Sequence, residues 1–108
     1  MWLWLLYVTR EVAGFSSFPT NAEYMATYTY VNQGYDMIES VYNTLFRAGA
    51  GSVTDKQNAV VSQRVENSSK WARAYCSWTW VSYGGAFSYD HVLRFFVGKD
   101  TYSVSLVY

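Results

Sequence analysis

The last third of the chain, residues 71–108, combines strict alternation with two tight-turn signals, and this constrains the fold more than any other feature. Within residues 74–82, apolar side chains alternate with polar or amphipathic ones, which is typical of a half-buried strand. Gly84 and Gly85 follow, and both accept the positive φ that a tight hairpin requires. The sequence therefore predicts a β-hairpin with a two-residue loop at these glycines.

A two-residue loop determines which residues lie opposite each other in the hairpin. A slip of one residue would move the charged side chains of Asp90 and Arg94 to the buried face, so registers shifted by one residue are unfavourable. The second turn, at residues 98–101, brings Val97 opposite Tyr102 and adds a third strand. The predicted pairs of the hairpin are Tyr83 with Ala86, Trp80 with Tyr89, Trp78 with His91, Cys76 with Leu93, and Ala74 with Phe95.

One face of this three-stranded meander carries about a dozen large apolar or aromatic side chains, more than a protein leaves in water. The middle of the chain is the expected cover. Across residues 21–47, tyrosines and aliphatic residues recur at spacings of four and three, and Thr20 with Glu23 forms a capping box. We predict a long amphipathic helix over residues 21–47, with Asp36 and Glu39 on its solvated edge.

Two further elements complete the predicted fold. A shorter helix is expected from Thr54 to about Ser69, after a turn at residues 48–51. Residues 2–9 lack polar alternation and predict either a strand, preferred because it would protect an edge of the meander, or the start of a short helix. The expected fold class is α+β: one domain over residues 1–108, with two helices on one face of a C-terminal meander and an N-terminal fourth strand.

Composition limits the partners and the location. Eight basic and eight acidic residues cancel, and neither sign is concentrated, so we expect no nucleic-acid interface of the electrostatic kind. The apolar run at residues 1–8 is far shorter than the ~20 residues of a membrane-spanning helix, and it lacks a basic flank or an evident cleavage site. We expect no membrane span, no signal peptide, and a location in the cytoplasm or a virion interior.

The usual cofactor and metal sites are not expected. With one histidine and one cysteine, the chain cannot assemble a tetrahedral zinc site of the usual kind. Gly49 and Gly51 follow a predicted helix instead of a strand, and the third glycine of a dinucleotide-binding motif is missing. Cys76 lies on the core face of its strand and is interpreted as a small buried hydrophobe.

The predicted registers bring several chemistry-bearing side chains to the inward face of the meander. Two adjacent rows are formed by Trp78, His91 and Tyr108, and by Trp80 and Tyr89. The functional interpretation is a ligand-binding pocket between the sheet and the long helix, in which His91 is a hydrogen-bonding or acid/base group. The interpretation that we favour is a structural histidine whose hydrogen bonds are satisfied at the rim of the core.

Two functional hypotheses follow. The opposite face of the meander is low in charge and half apolar, and it includes Tyr75, Phe96 and Val107, so it suits a two-fold, sheet-to-sheet homodimer. The N-terminal apolar segment offers a rival interface. We therefore favour a non-enzymatic binding or assembly protein that self-associates. The alternative is a small-ligand-binding protein or a simple acid/base enzyme, an isomerase or hydrolase acting on an apolar substrate.

Overall fold

The computed structural model describes residues 4–15 and 19–107 of the 108-residue chain. Over these residues the chain forms seven β-strands and one short 3₁₀ turn at Tyr83–Gly85. All neighbouring strands are antiparallel; β1, β2 and β3 form the N-terminal sheet, and β4, β5, β6 and β7 form the C-terminal sheet, each in chain order. The strands are β1 (Leu5–Phe15), β2 (Thr20–Val31), β3 (Met37–Ala48), β4 (Ser52–Gln63), β5 (Ala72–Val81), β6 (Ser88–Gly98) and β7 (Thr101–Val107).

The predicted α+β fold class is wrong, because the described residues form two antiparallel sheets and only the 3₁₀ turn is helical. The long helix predicted over residues 21–47 is instead β2, a turn, and β3. A spacing of four residues, as between Tyr24 and Tyr28, returns a side chain to the same face of a helix and also to the same face of a strand. In β2, Ala22 and Ala26 are buried like the two tyrosines, so every second residue from 22 to 28 is buried, which is the period of a strand.

The second predicted helix, residues 54–69, is also wrong, since these residues form most of β4 and the turns that follow it. Val61 packs against the core while its neighbour Val60 faces outward, as adjacent residues of a strand do. The pairing of β4 with β5 has three register shifts, and Asp55, within the first of them, has a φ of 50°. Such bulges interrupt the alternation of side chains and so conceal the strand in the sequence.

The C-terminal meander is confirmed. β6 and β7 pair with Val97 opposite Tyr102, as predicted. Lys99 and Asp100 form the two-residue turn between them, and both have positive φ, the geometry that matches the twist of a hairpin. The predicted pairs present between β5 and β6 are Trp80–Tyr89, Trp78–His91, Cys76–Leu93 and Ala74–Phe95.

The turn between β5 and β6 is wider than predicted, so the pairing of Tyr83 with Ala86 is wrong. The Ser82 amide donates to the Phe87 carbonyl at 2.9 Å, and the 3₁₀ turn lies inside the loop that this bond closes. Gly84 has a φ of 79°. The positive φ of Gly84 was therefore predicted correctly, although the loop that contains it is longer than expected.

The two sheets pack face to face as a β-sandwich, and both contribute to one core. Tyr24 of β2 donates its hydroxyl hydrogen to the carbonyl of Leu93 on β6 at 3.3 Å, which links the sheets across that core. Neither sheet could keep its apolar face from water without the other. The buried cluster consists of Val12, Ala22, Tyr24, Ala26, Tyr28, Ile38, Ala72, Ala74, Cys76, Trp78, Leu93, Phe95 and Val97.

The sandwich is joined along one side, where β3 meets β4. The Ile38 amide donates to the Arg64 carbonyl at 2.8 Å, and Met37 and Val65 form a single antiparallel bridge. The Thr44 hydroxyl accepts a hydrogen bond from the Ala59 amide at 2.9 Å farther along the same side. This side therefore has backbone contacts that connect the two sheets.

Residues 5–9 form a strand, as preferred from the sequence, and residues 2 and 3 of the predicted segment lie outside the described residues. The prediction that this strand protects an edge of the meander as its fourth strand is wrong, because β1 pairs with β2 and is an edge strand of the N-terminal sheet. At Gly14 it approaches the other sheet so closely that a Cβ atom would lie 2.7 Å from Leu93 Cδ1. In the described part of the chain, no helix is long and apolar enough to cross a membrane.

Candidate functional site

The structure brings together the four predicted site residues that it describes, while Tyr108 lies outside the described residues. The Trp78 and His91 rings stack, with 5.0 Å between centroids and 14° between planes. Trp80 and Tyr89 stack in the next row at 6.2 Å and 18°. Both stacks result from direct cross-strand pairing of β5 with β6, which places opposite side chains in contact.

His91 is fully buried beneath the stacked Trp78 ring. Its Nδ1 atom lies 3.0 Å from the Tyr89 carbonyl oxygen, so the tautomer with a hydrogen on Nδ1 donates to that carbonyl. Burial lowers the pKa of His91, and the Tyr89 carbonyl, which favours the protonated ring, opposes this shift. A neutral, enclosed imidazole with a backbone partner supports the structural interpretation of this residue.

The polar edges of both tryptophans have partners from outside their own sheet. Trp78 Nε1 donates to Thr20 Oγ1 at 2.9 Å, and the Thr20 hydroxyl donates in turn to the Arg47 carbonyl at 2.7 Å. This relay connects β5 to β2 and β3. Trp80 Nε1 donates to the Ala50 carbonyl at 2.7 Å, in the connection between the two sheets. The tryptophans therefore hold the sheets together through hydrogen bonds as well as through packing.

The ligand pocket predicted between the sheet and a long helix is wrong, since β2 and β3 stand where the helix was expected. Phe46 of β3 packs on Trp78 with 5.6 Å between ring centroids, and Thr20 caps the indole nitrogen. Among the described residues, no buried side-chain nitrogen or oxygen lacks a hydrogen-bond partner. The space that a ligand would need beside Trp78 and His91 is filled by the N-terminal sheet.

A depression of about 390 Å³ lies over β4, β5 and β6 and is partly open to solvent. Besides Trp78 and His91, its lining consists of Asp55, Ser77, Thr79, Asp90 and Val92. The Thr79 hydroxyl donates to Asp90 Oδ1 at 2.7 Å, so one of the two carboxylates is engaged within the sheet. Asp90 faces away from His91, as predicted. The His91 side chain is fully buried in its stack on Trp78, so it is not presented to the hydroxyl groups of the depression as a base.

Two buried carboxylates connect three turns, a role that was not predicted from the sequence. Asp36 is fully buried, and its Oδ1 and Oδ2 atoms accept hydrogen bonds from the amides of Val31, at 2.8 Å, and Asp100, at 2.7 Å. Glu66 accepts from the amides of Asp36, at 2.9 Å, and Lys99, at 3.2 Å. We call Asp36 and Glu66 the carboxylate clasp. The prediction that Asp36 lies on a solvated helix edge is wrong.

The charge state of the clasp depends on its burial. Burial raises the pKa of the Asp36 carboxyl; the amide donors of Val31 and Asp100 oppose the shift, and the nearby Asp100 carboxyl adds to it. Over the described residues, no group of three or more His, Cys, Asp or Glu side chains could hold a metal ion. Cys76 is buried, as predicted, and burial raises the pKa of its thiol to about 12.

An exposed apolar segment begins β1. Leu5, Leu6 and Tyr7 are 70%, 49% and 66% exposed. Because successive side chains of a strand point to opposite faces, this segment presents large apolar groups on both faces of the sheet. It also lies at the edge of the N-terminal sheet, where one side of its backbone is not paired with another described strand.

The outer face of the C-terminal sheet, predicted as a dimer surface, is partly covered by its own side chains. The Arg73 guanidinium lies 5.2 Å from the centroid of the Phe96 ring. Gln57 Nε2 lies 3.5 Å from the Tyr75 hydroxyl, to which it donates. These contacts leave Phe96 and Tyr75 half-buried, so this face is a weaker candidate for association than the start of β1.

Comparison with known proteins gave no match: no family model matches the chain, and neither a curated protein nor a solved structure is significantly similar to it. The function must therefore be argued from the geometry of the molecule.

Proposed function

We propose that this protein is a non-enzymatic binding or assembly domain that self-associates. The observation that carries the proposal is the apolar segment of Leu5, Leu6 and Tyr7, exposed on both faces of an edge strand. Edge strands of this kind are templates for pairing with another chain unless charge, proline or a cover protects them. Each Å² of apolar surface removed from water stabilises an associated state by about 25 cal/mol. The cytoplasm remains its predicted location.

The composition supports association. Charged residues make up 15% of the chain and aromatic residues 20%, and the formal net charge is zero. Proteins that remain monomeric and dispersed usually carry more surface charge and a net charge away from zero, which makes copies repel each other. Here little electrostatic repulsion opposes contact between two copies.

Native mass spectrometry of the purified protein at micromolar concentration tests the proposal. We expect a species of twice the 12.4 kDa chain mass. A monomer at every concentration would contradict self-association. Additional mass that is lost on denaturation would instead support the ligand-binding alternative.

The role of His91 separates the two functional hypotheses. If the protein is an assembly domain, His91→Ala removes the stack on Trp78 and lowers the free energy of unfolding, while the native mass spectrum keeps the same oligomer. Urea unfolding measures the first effect. Loss of a bound small molecule with an unchanged fold would favour the alternative.

A further inference from the structure

The backbone of β1 is hydrogen-bonded to β2 on one side, and on its other side no described strand pairs with it. The hydrogen bonds show which residues face each side. The Trp4 carbonyl accepts from the Asn32 amide at 3.0 Å, so residues 4 and 32 are a hydrogen-bonded antiparallel pair. Alternate residues of β1 therefore bond to β2. The residues between them, Leu5, Tyr7 and Thr9, direct their N–H and C=O groups to the outer edge.

β7 belongs to the other sheet and packs against the inward face of β1 from Arg10 onward. β7 begins at Thr101, and the Arg10 guanidinium lies 3.9 Å from the centroid of the Tyr102 ring. Farther along β1, the Gly14 position approaches Leu106 of the same strand. The two strands thus face each other across the sandwich from Arg10 onward, and residues 5–9 extend past the start of β7.

The chemistry of residues 5–9 specifies the strand that would fit beside them. Both faces are apolar at Leu5, Leu6 and Tyr7, and no residue of the segment is charged, so a matching strand must also be uncharged and apolar on both faces. The start of β1 itself has these properties. Arg10 and Glu11 bring charge immediately after the segment, which limits the length of any such pairing.

We propose that residues 5–9 of β1 pair antiparallel with the same residues of a second copy, about a two-fold axis at Tyr7. This register places Leu5 of each copy opposite Thr9 of the other, so all outward-directed backbone groups of the segment are paired. A two-fold axis at Arg10 would instead place two guanidinium groups opposite each other. The resulting sheet runs through both copies with six strands, three from each N-terminal sheet. The inference rests on the proposed self-association and names its surface.

Disulfide trapping tests this register. In Tyr7→Cys, the two introduced thiols lie at directly opposite positions, about 5.5 Å apart between Cα atoms, which a disulfide spans. In Leu5→Cys, the matched control, the two thiols are four residues apart along the paired strands, roughly 13 Å, which no disulfide spans. Cys76 is buried and does not compete. Under mild oxidation we expect most of the Tyr7→Cys protein, and little of the Leu5→Cys protein, to become covalent dimer.

The outcomes distinguish this inference from the proposal on which it rests. If wild-type protein is a dimer by mass but the two cysteine variants crosslink equally or not at all, the β1 pairing is overturned and self-association stands. A dimer that Phe96→Glu converts to monomer, without trapping of Tyr7→Cys, would move the interface to the outer face of the C-terminal sheet. A wild-type monomer would overturn both the proposed function and this inference.

Discussion

At the scale of single residues, the main polar interactions of this protein bind turns and sheets to one another. Asp36 shows this most clearly, because a fully buried carboxylate is unfavourable unless donors surround it. The amides of Val31 and Asp100 supply these donors, and Glu66 holds the Asp36 amide in return. The carboxylate clasp therefore joins the turn after β2, the turn after β4 and the turn before β7.

The raised pKa of Asp36 predicts a specific dependence of stability on pH. The native state holds the Asp36 proton more tightly than the unfolded chain, in which the pKa is near the ordinary value of 3.8. Its contribution to stability is therefore fully present below pH 3.8 and is lost as the pH rises through the raised pKa. We expect the stability of the wild type relative to Asp36→Asn to fall across this window.

Urea unfolding of the two proteins from below pH 3.8 to neutral pH measures this difference. Asp55→Asn serves as the matched control, since Asp55 is exposed. A difference between wild type and Asp36→Asn that stays constant or grows as the pH rises would show that the sign of the pKa shift is wrong.

A second residue-scale prediction concerns the relay from Trp78 through Thr20. Thr20→Val keeps the shape of the side chain but removes the acceptor of the buried indole N–H and the hydroxyl that donates to the Arg47 carbonyl. We expect it to lower the free energy of unfolding by about 1–3 kcal/mol. Thr20→Ser keeps the hydroxyl and should cost less. Equal losses for the two variants in urea unfolding would mean that the methyl group matters and the relay does not.

The local contacts of the site were predictable only within the C-terminal sheet. The charges of Asp90 and Arg94 select one register, and that register places Trp78 beside His91. Thr20, the hydrogen-bond partner of Trp78, lies in the other sheet. The sequence was interpreted as a helix there, so this contact was not predicted. Aspartate is usually a surface residue. Asp36 becomes a buried acceptor only because turns that are distant in the sequence pack together around it.

At the scale of elements, the difference between prediction and structure lies in the middle of the chain. The meander was predictable because a strict period of two has no helical counterpart. Spacings of four in β2 fit both periods, and the capping pattern at Thr20 and Glu23 favoured the helix. The density of Thr and Tyr within residues 27–31 was the signal for a strand, since these residues favour sheets.

The close approach of β1 to the C-terminal sheet gives an element-scale prediction. Gly14→Ala would place a Cβ atom 2.7 Å from Leu93 Cδ1, and Leu93 is fully buried and cannot move freely. We expect a loss of about 1–3 kcal/mol in the free energy of unfolding, because overpacking forces β1 away from its neighbours.

Gly49→Ala is the control for this effect. Its Cβ atom would come no closer than 3.9 Å to another heavy atom, which is ordinary contact. Chemical denaturation of both variants makes the comparison. If Gly14→Ala were as stable as Gly49→Ala, the contact between β1 and β6 would be looser than described.

At the scale of the whole molecule, the sandwich is connected between β3 and β4, and one edge of β1 is not paired with any other described strand. A two-fold pairing at this edge would join the N-terminal sheets of two copies and leave both C-terminal sheets on the same side of the joined sheet. Such an assembly would bury Leu5, Leu6 and Tyr7 without rearranging the core. In this fold the core is packed within a single copy, while the outer edge of β1 has backbone groups that pair with no described strand.

The most direct test of this account is the sedimentation of wild type, Tyr7→Ala and Tyr7→Pro at equal concentration. Proline removes an N–H group that faces outward and bonds to no described strand, so β1 should still pair with β2. We predict that wild type sediments as a dimer, that Tyr7→Ala keeps a weakened dimer, and that Tyr7→Pro is a folded monomer. A Tyr7→Pro protein that sediments as wild type does would contradict the claim that the edge of β1 is where two copies meet.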